Sequence, residues 1–195
     1  QMMMMDLSSA KSGSLKYYIY PKANVDPNWP TAGGVDVPYD FKERHDNQTK
    51  LSSFAMAFLS KRPASGAVLV GGVVDHPTMG QAFNHMLAAQ SNFTNWIFTF
   101  CENIGGGRVF ISAARLMFPH LKIMGSDLGK IIKLPGEGSG KARNKKTRIQ
   151  TELAPWLENG TVLISDDDNP YLNLVRDALD NFSELNDARA DDRLD

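Results

Sequence analysis

A chain of 195 residues, 42% apolar and 22% charged, has the ordinary balance of a soluble globular protein and the length for one α/β domain with a sizeable core. The single cysteine, Cys101, excludes an intramolecular disulfide, and no run of about 18 apolar residues exists to cross a bilayer, so a cytosolic protein is expected. The net charge of −1 hides an asymmetry, because Lys130, Lys133, Lys141, Arg143, Lys145, Lys146 and Arg148 face the one acid Glu137, whereas from Glu152 onward acids dominate.

Residues 1–14, opening on Gln1 and four methionines, read as a loose end, and residues 15–195 as a single domain. Leu15 to Tyr20 is a predicted strand stopped by Pro21. Asp26-Pro27-Asn28 and Trp29-Pro30 mark an irregular connection, kept ordered because Trp29 needs burial. Gly33 to Pro38 is a short strand carrying Asp36 among its apolar residues, followed by a polar loop from Tyr39 to Thr49. Ser52–Leu59 and Ala67–Val74 read as strands joined in a hairpin-like connection.

Asp75-His76-Pro77-Thr78 opens a helix, capped by Asp75 or Thr78, that turns Phe83, Met86 and Leu87 inward. The helix feeds Trp96 to Cys101, an apolar run of β-formers expected to be buried on both faces, with Glu102 where the strand ends. Gly105-Gly106-Gly107 then allow a tight turn, and Arg108 to Phe118 has helical periodicity through Val109, Phe110, Ala113, Leu116 and Met117. Leu121 to Met124 is the next strand, and a basic loop or hairpin rich in Gly, Lys and Ser runs from about 125 to 146.

Thr147 to Trp156 is a helix with Ile149, Leu153, Trp156 and Leu157 inward, bent or ended by Pro155. Thr161 to Ser165 is a strand. Asn169-Pro170 opens a helix with Leu172, Val175, Leu179 and Phe182 inward, and Ala188 to Asp195 again looks helical. The element order is that of an RNase H-like α/β fold: a central mixed sheet of three antiparallel strands and then parallel ones, flanked by helices.

In open α/β sheets sites form at the carboxyl ends of strands, which is where Glu102 stands. A carboxylate there is costly unless something pairs it, most simply a metal ion. Two-metal phosphodiester hydrolysis needs acids from separate elements to converge on ions about 3.5–4 Å apart. The candidates are Asp36, Glu102 and the cluster Asp191, Asp192 and Asp195, in which Asp192 and Asp195 share a helix face. Each has a plainer alternative: Asp36 as a turn residue, Glu102 as a helix cap, the terminal acids as a solvated tail.

Gly-Gly-Val-Asp36, Cys-Glu102-Asn-Ile-Gly-Gly-Gly, the run Lys145 to Ile149 leading through a helix to Glu158-Asn-Gly-Thr-Val162, and Asp-Asp192-Arg-Leu-Asp195 together resemble the nuclease domain of a tailed-phage terminase large subunit. The resemblance covers the chain from Val35 onward. It implies an RNase H-like endonuclease dependent on Mg²⁺ or Mn²⁺, with two ions, that cuts concatemeric double-stranded viral DNA during genome packaging, largely without sequence preference. Carried over by position, Asp36, Glu102 and Asp192 are catalytic, and Asp36, Glu102, Asp191, Asp192 and Asp195 are metal ligands.

The basic loop then supplies phosphate contacts through Lys130, Lys133, Lys141, Arg143, Lys145, Lys146 and Arg148. The resemblance also implies an N-terminal ATPase motor domain, a portal protein and a small terminase subunit as partners, and the host cytoplasm as location. The alternatives are another RNase H-like nuclease, a Holliday-junction resolvase or transposase-like core, and a non-catalytic DNA-docking module.

Two signals mislead. Gly136-Glu-Gly-Ser-Gly-Lys141 resembles a phosphate-binding loop, but Pro135 stands at the first glycine position and Ala142 follows the lysine. His45, His76, His85 and His120 have no zinc-ligand spacing and read as surface or packing residues.

Overall fold

The computed structural model describes residues 15–38, 41, 53–103, 105–126 and 149–182. The loose end 1–14, most of the polar loop, the stretch 127–148 and the final helical segment lie outside the described residues. The elements are β1 (Ile19–Tyr20), β2 (Thr31–Asp36), β3 (Phe54–Lys61), β4 (Ala67–Asp75), α1 (Met79–Asn92), β5 (Trp96–Glu102), α2 (Gly105–Met117), β6 (Ile123–Ser126), a π-helical turn (Ile149–Leu153), α3 (Ala154–Glu158), β7 (Val162–Ser165) and α4 (Pro170–Asp180). Strands pair in the order β1-β7-β4-β3-β2-β5-β6.

Two compact units make up the chain. Gln1–Val25, Ser60–Gly71 and Lys141–Asp195 form one, and Asp26–Leu59 with Gly72–Gly140 form the other.

In the second unit β2 and β6 both run parallel to β5. The direction of β3 follows from its contacts. Phe58 meets Trp96 edge-on at 5.7 Å, and Trp96 is the register partner of Thr31 at the start of β2. Met56 comes within 3.4 Å of where a Cβ on Gly33 would lie, further along the strand. As β3 runs backward along β2, the two are antiparallel. The five residues Arg62 to Gly66, closed by the Arg62 N–H donating to the Gly66 carbonyl at 3.0 Å, are too short for a crossover, so β4 is antiparallel to β3. The sheet is therefore mixed, and β2, β4 and β5 end at the same edge.

One face of this unit is closed by α1 and α2. Phe83 and Phe110 stack at 4.6 Å, and Phe110 lies 6.2 Å from Phe54 on the sheet. Burying each Phe contributes roughly 1.5–3 kcal/mol. Helix α1 starts with a capping box, in which the Thr78 hydroxyl accepts from the Gln81 N–H and the Gln81 side chain accepts from the Thr78 N–H. Thr78 is thus the cap, and Asp75 ends the preceding strand instead.

Three expectations are corrected here. Helix α2 starts at Gly105, and it buries Gly107, Phe110, Ile111 and Ala114. Val109 and Leu116, expected inward, are 59% and 84% exposed. The triple glycine is the first turn of the helix, which rotates the inward stripe by one position from the one the apolar spacing suggests. Strand β5 is not buried on both faces: Thr99 and Cys101 are buried while Ile97 is 45% exposed, at the register irregularity where Thr31 pairs with Trp96 and Ala32 with Phe98. Gly125 and Ser126, expected at the start of the basic loop, belong to β6 and pair with Cys101 and Glu102, and the rest of that expected loop lies outside the described residues.

In the first unit β7 lies between β1 and β4, parallel to both. The ladder of β1 holds only Ile19 and Tyr20, shorter than the predicted Leu15–Tyr20; Leu15 instead donates its N–H to the Leu179 carbonyl at 3.0 Å. Helix α4 is capped by Asn169, whose side chain accepts from the Tyr171 N–H, and it buries Leu172, Val175 and Leu179 as its spacing requires. Trp156, expected inward, is 55% exposed, because the π-helical turn ahead of α3 shifts the phase of the helix while Ile149 and Leu157 stay buried. No described helix is long and apolar enough to cross a membrane.

Candidate functional site

Strand β2 reads Thr-Ala-Gly-Gly-Val-Asp, and burial alternates along its second half, with Gly33 and Val35 inside and Gly34 and Asp36 outside. On β5 the same alternation buries Cys101 and exposes Glu102. Val35 is paired in register with Cys101. The next residue on each strand is an acid, so Asp36 and Glu102 end neighbouring parallel strands whose axes lie about 4.8 Å apart. Both belong to the face turned away from α1 and α2.

The Cys101 thiol reports on both carboxylates. Burial first, then the charges of Asp36 and Glu102, push it up to about 12, so it is an inert core thiol and not a nucleophile. Like charges side by side on adjacent strands repel, and a bound cation removes that cost.

The connection after Glu102 is built for close approach. A Cβ on Gly107 would sit 2.0 Å from the Glu102 carbonyl oxygen and 3.4 Å from the Cys101 sulfur, so only glycine lets the first turn of α2 press against the end of β5. Gly105 adopts φ +49°, in the left-handed region that favours glycine. A Cβ on Gly125 would meet Asn103 at 3.5 Å, which places the Asn103 side chain over β6. Arg108, one turn into α2, folds back and donates from Nε to the Asn103 carbonyl at 3.4 Å. Beside the acids the sheet face is open among the described residues, because a Cβ on Gly34 would have nothing within 4 Å.

A further strand-end acid of the second unit is Asp75, at the end of β4 and separated from β2 by β3. It is engaged by α1: its Oδ2 lies 3.5 Å from His85 Nε2, and its Oδ1 accepts from the His76 N–H at 2.7 Å. The His85 ring stacks on Phe54 at 6.2 Å. His85 is thus a packing residue with one carboxylate partner, and His76 and His120 are exposed.

The structure therefore brings together Asp36 and Glu102. Asp191, Asp192 and Asp195, and Lys130, Lys133, Lys141, Arg143, Lys145, Lys146 and Arg148, lie outside the described residues, as does His45. Asn103 and Arg108 were not singled out from the sequence. The available signal was their spacing, with Asn103 next to Glu102 and Arg108 directly after three glycines that fold the chain back.

Among the described residues no three His, Cys, Asp or Glu side chains gather into a metal site. Two oxygen-donor carboxylates do fit Mg²⁺ or Mn²⁺, which are held by one or two carboxylates with water and substrate phosphate completing the shell. The chain matches no family model and no curated protein.

Proposed function

We propose that this chain is a metal-dependent endonuclease acting on duplex DNA, with Asp36 and Glu102 at its centre and Asp192 completing the acidic set. The observation that carries the reading is that two acids more than sixty residues apart end adjacent parallel strands, each one residue beyond the pair Val35 and Cys101. The element order supports an RNase H-like fold, with an antiparallel meander, then alternating helix and strand, and β5 returning beside β2. With the resemblance in motif order, the specific proposal is a terminase large-subunit nuclease domain that cuts concatemeric viral DNA in the host cytoplasm. Its proposed partners are an ATPase motor domain, a portal and a small subunit.

Bound Mg²⁺ or Mn²⁺ would supply a hydroxide nucleophile at neutral pH and charge stabilisation at the leaving oxygen. The role of the protein is to hold two carboxylates at fixed spacing, Asp36 on β2 and Glu102 on β5, so that neither strand can move without breaking sheet hydrogen bonds. Asp191 and Asp195 are further ligands in this reading. The cations from Lys130 to Arg148 hold the duplex by its phosphates, which positions DNA without reading its sequence.

The test is plasmid cleavage in Mg²⁺ or Mn²⁺ by the 195-residue chain and by Asp36→Asn, Glu102→Gln and Asp192→Asn, isosteric changes that keep the fold. Each variant should fall to the level seen in EDTA while retaining the wild-type circular dichroism spectrum. Wild-type activity in all three would refute the assignment. A strong preference for four-way junctions over linear duplex would favour a resolvase, and salt-sensitive binding without cutting would leave a docking module.

A further inference from the structure

The residues around Glu102 carry an inference that rests on the nuclease reading and goes one step further. We propose that Arg108 is the residue that positions the DNA phosphate at the Asp36–Glu102 site. Beside a metal-binding carboxylate pair, a fixed guanidinium that meets the phosphate oxygens adds an orientation that a metal ion and mobile side chains do not supply. Arg108 is tied to the connection that follows Glu102, at the end of β5 where the acids stand. It stands on the first turn of α2, and its Nε is spent on the carbonyl of Asn103, the residue after Glu102, at 3.4 Å. That bond anchors the inner edge of the guanidinium to the acid-bearing connection and leaves both terminal nitrogens to offer a planar two-donor fork, the geometry that matches phosphate oxygens.

The surroundings keep this fork available. Arg108 is exposed, and among the described residues no carboxylate lies within ion-pair distance of it. Helix α2, Gly-Gly-Gly-Arg-Val-Phe-Ile-Ser-Ala-Ala-Arg-Leu-Met, contains no acid at all. The backbone beneath Arg108 is fixed as well, since Gly107 is pressed against the Glu102 carbonyl and its helical neighbour Ser112 donates to the Arg108 carbonyl at 2.9 Å. Arg115 offers an internal comparison: it has the same charge and lies on the same exposed side, two turns and about 10 Å further from the acids.

The experiment compares wild type, Arg108→Ala, Arg108→Lys and Arg115→Ala in steady-state cleavage of linear duplex with Mg²⁺, and in DNA binding with Ca²⁺ across a salt series. Arg108→Ala should lower kcat by about 10²-fold with a smaller change in KM, because the contact matters most when the phosphate is in line for attack. It should also reduce the slope of log K against log salt by about 1. Arg108→Lys should recover part of kcat and all of the slope, and Arg115→Ala should leave both unchanged.

Equal losses in Arg108→Ala and Arg115→Ala would reduce the effect to overall charge and overturn the proposal. So would an Arg108→Ala defect cured by raising Mg²⁺, since Arg108 would then only brace Glu102. Wild-type cleavage with an unaffected Arg108→Ala removes this inference alone, whereas wild-type protein that leaves DNA intact removes the nuclease reading and this inference together.

Discussion

Three glycines near the site give a graded test of how tightly the Glu102 carboxylate is placed. At Gly107 an added methyl would lie 2.0 Å from the Glu102 carbonyl oxygen, and the obstacle is backbone on both sides. Restoring an ordinary C···O contact of about 3.3 Å requires the first turn of α2 and the end of β5 to separate by over ~1 Å. Overpacking of this kind costs about 2 kcal/mol, which lowers Tm by roughly 4–8 °C for a chain of this size. A displacement of about 1 Å at a catalytic group costs on the order of 10²-fold in rate.

At Gly125 the methyl would meet the Cδ1 of Ile111 at 2.9 Å, the far end of a flexible side chain, so Gly125→Ala should cost under about 1 kcal/mol. At Gly34 nothing lies within 4 Å, and the φ is not positive, so Gly34→Ala should be neutral or stabilise by about 0.4–1 kcal/mol through the unfolded chain. Thermal midpoints and cleavage rates of the three single variants check the order Gly107, Gly125, Gly34. A Gly107→Ala protein as stable and active as Gly34→Ala would refute the close approach of α2 to β5.

Two further outcomes follow from the same packing. Thr78→Ala removes one half of the capping box of α1, should cost about 1 kcal/mol, and should lower Tm by about 2–4 °C, with no effect on cleavage once the chain is folded. Burial holds the Cys101, Tyr17 and Tyr171 protons, each raised to about 12 from ordinary values of 9.0, 10.0 and 10.0. The folded chain therefore binds these protons more tightly than the unfolded one: their contribution is complete below the unfolded values and is lost as pH climbs toward 12. Urea midpoints at about pH 8 and about pH 11 should show the fall, and Cys101 should resist alkylation at about pH 8 until denaturant is added. Equal midpoints, or ready alkylation of folded protein, would contradict the burial.

The strands and caps were legible because they depend on local chemistry. The run Ala67 to Val74 has no helical spacing, the helix after it has a cap in Asp75 or Thr78, of which the structure uses Thr78, and Asn169 precedes a proline; each signal acts within a few residues, and these three elements appear where expected. Which side of a helix faces inward depends on where the helix begins, and that is set by tertiary contact. Val109, Phe110, Ala113, Leu116 and Met117 form the row that the spacing suggests, yet of these only Phe110 is buried, and the row that packs is Gly107, Phe110, Ile111 and Ala114. The contact of Gly107 with the Glu102 carbonyl fixes the phase of α2, and no periodicity in the helix contains that information. Trp156 was misplaced for a similar reason, since a π-helical turn adds a phase shift invisible to 3.6-residue counting.

The candidate site was legible at one level and not at another. That Asp36 and Glu102 stand at strand ends follows from the apolar runs before them. That they stand beside each other follows from strand order: β5 passes over the meander and adds to β2 at the side away from β3, whereas β4, with Asp75, ends two strands from Glu102's neighbour. The same order explains why Asp75 has a different partner. Lying across β3 from Asp36, it meets His85 of α1, so among the described strand-end acids of the second unit Asp36 and Glu102 are the two that end adjacent strands. A sheet in which β5 had joined the β4 side would have paired Glu102 with Asp75 and left Asp36 alone. The chemistry proposed for this chain is in that sense a property of one strand-pairing choice, made by the hydrogen bonds of Ala32 to Val35 with Phe98 to Cys101.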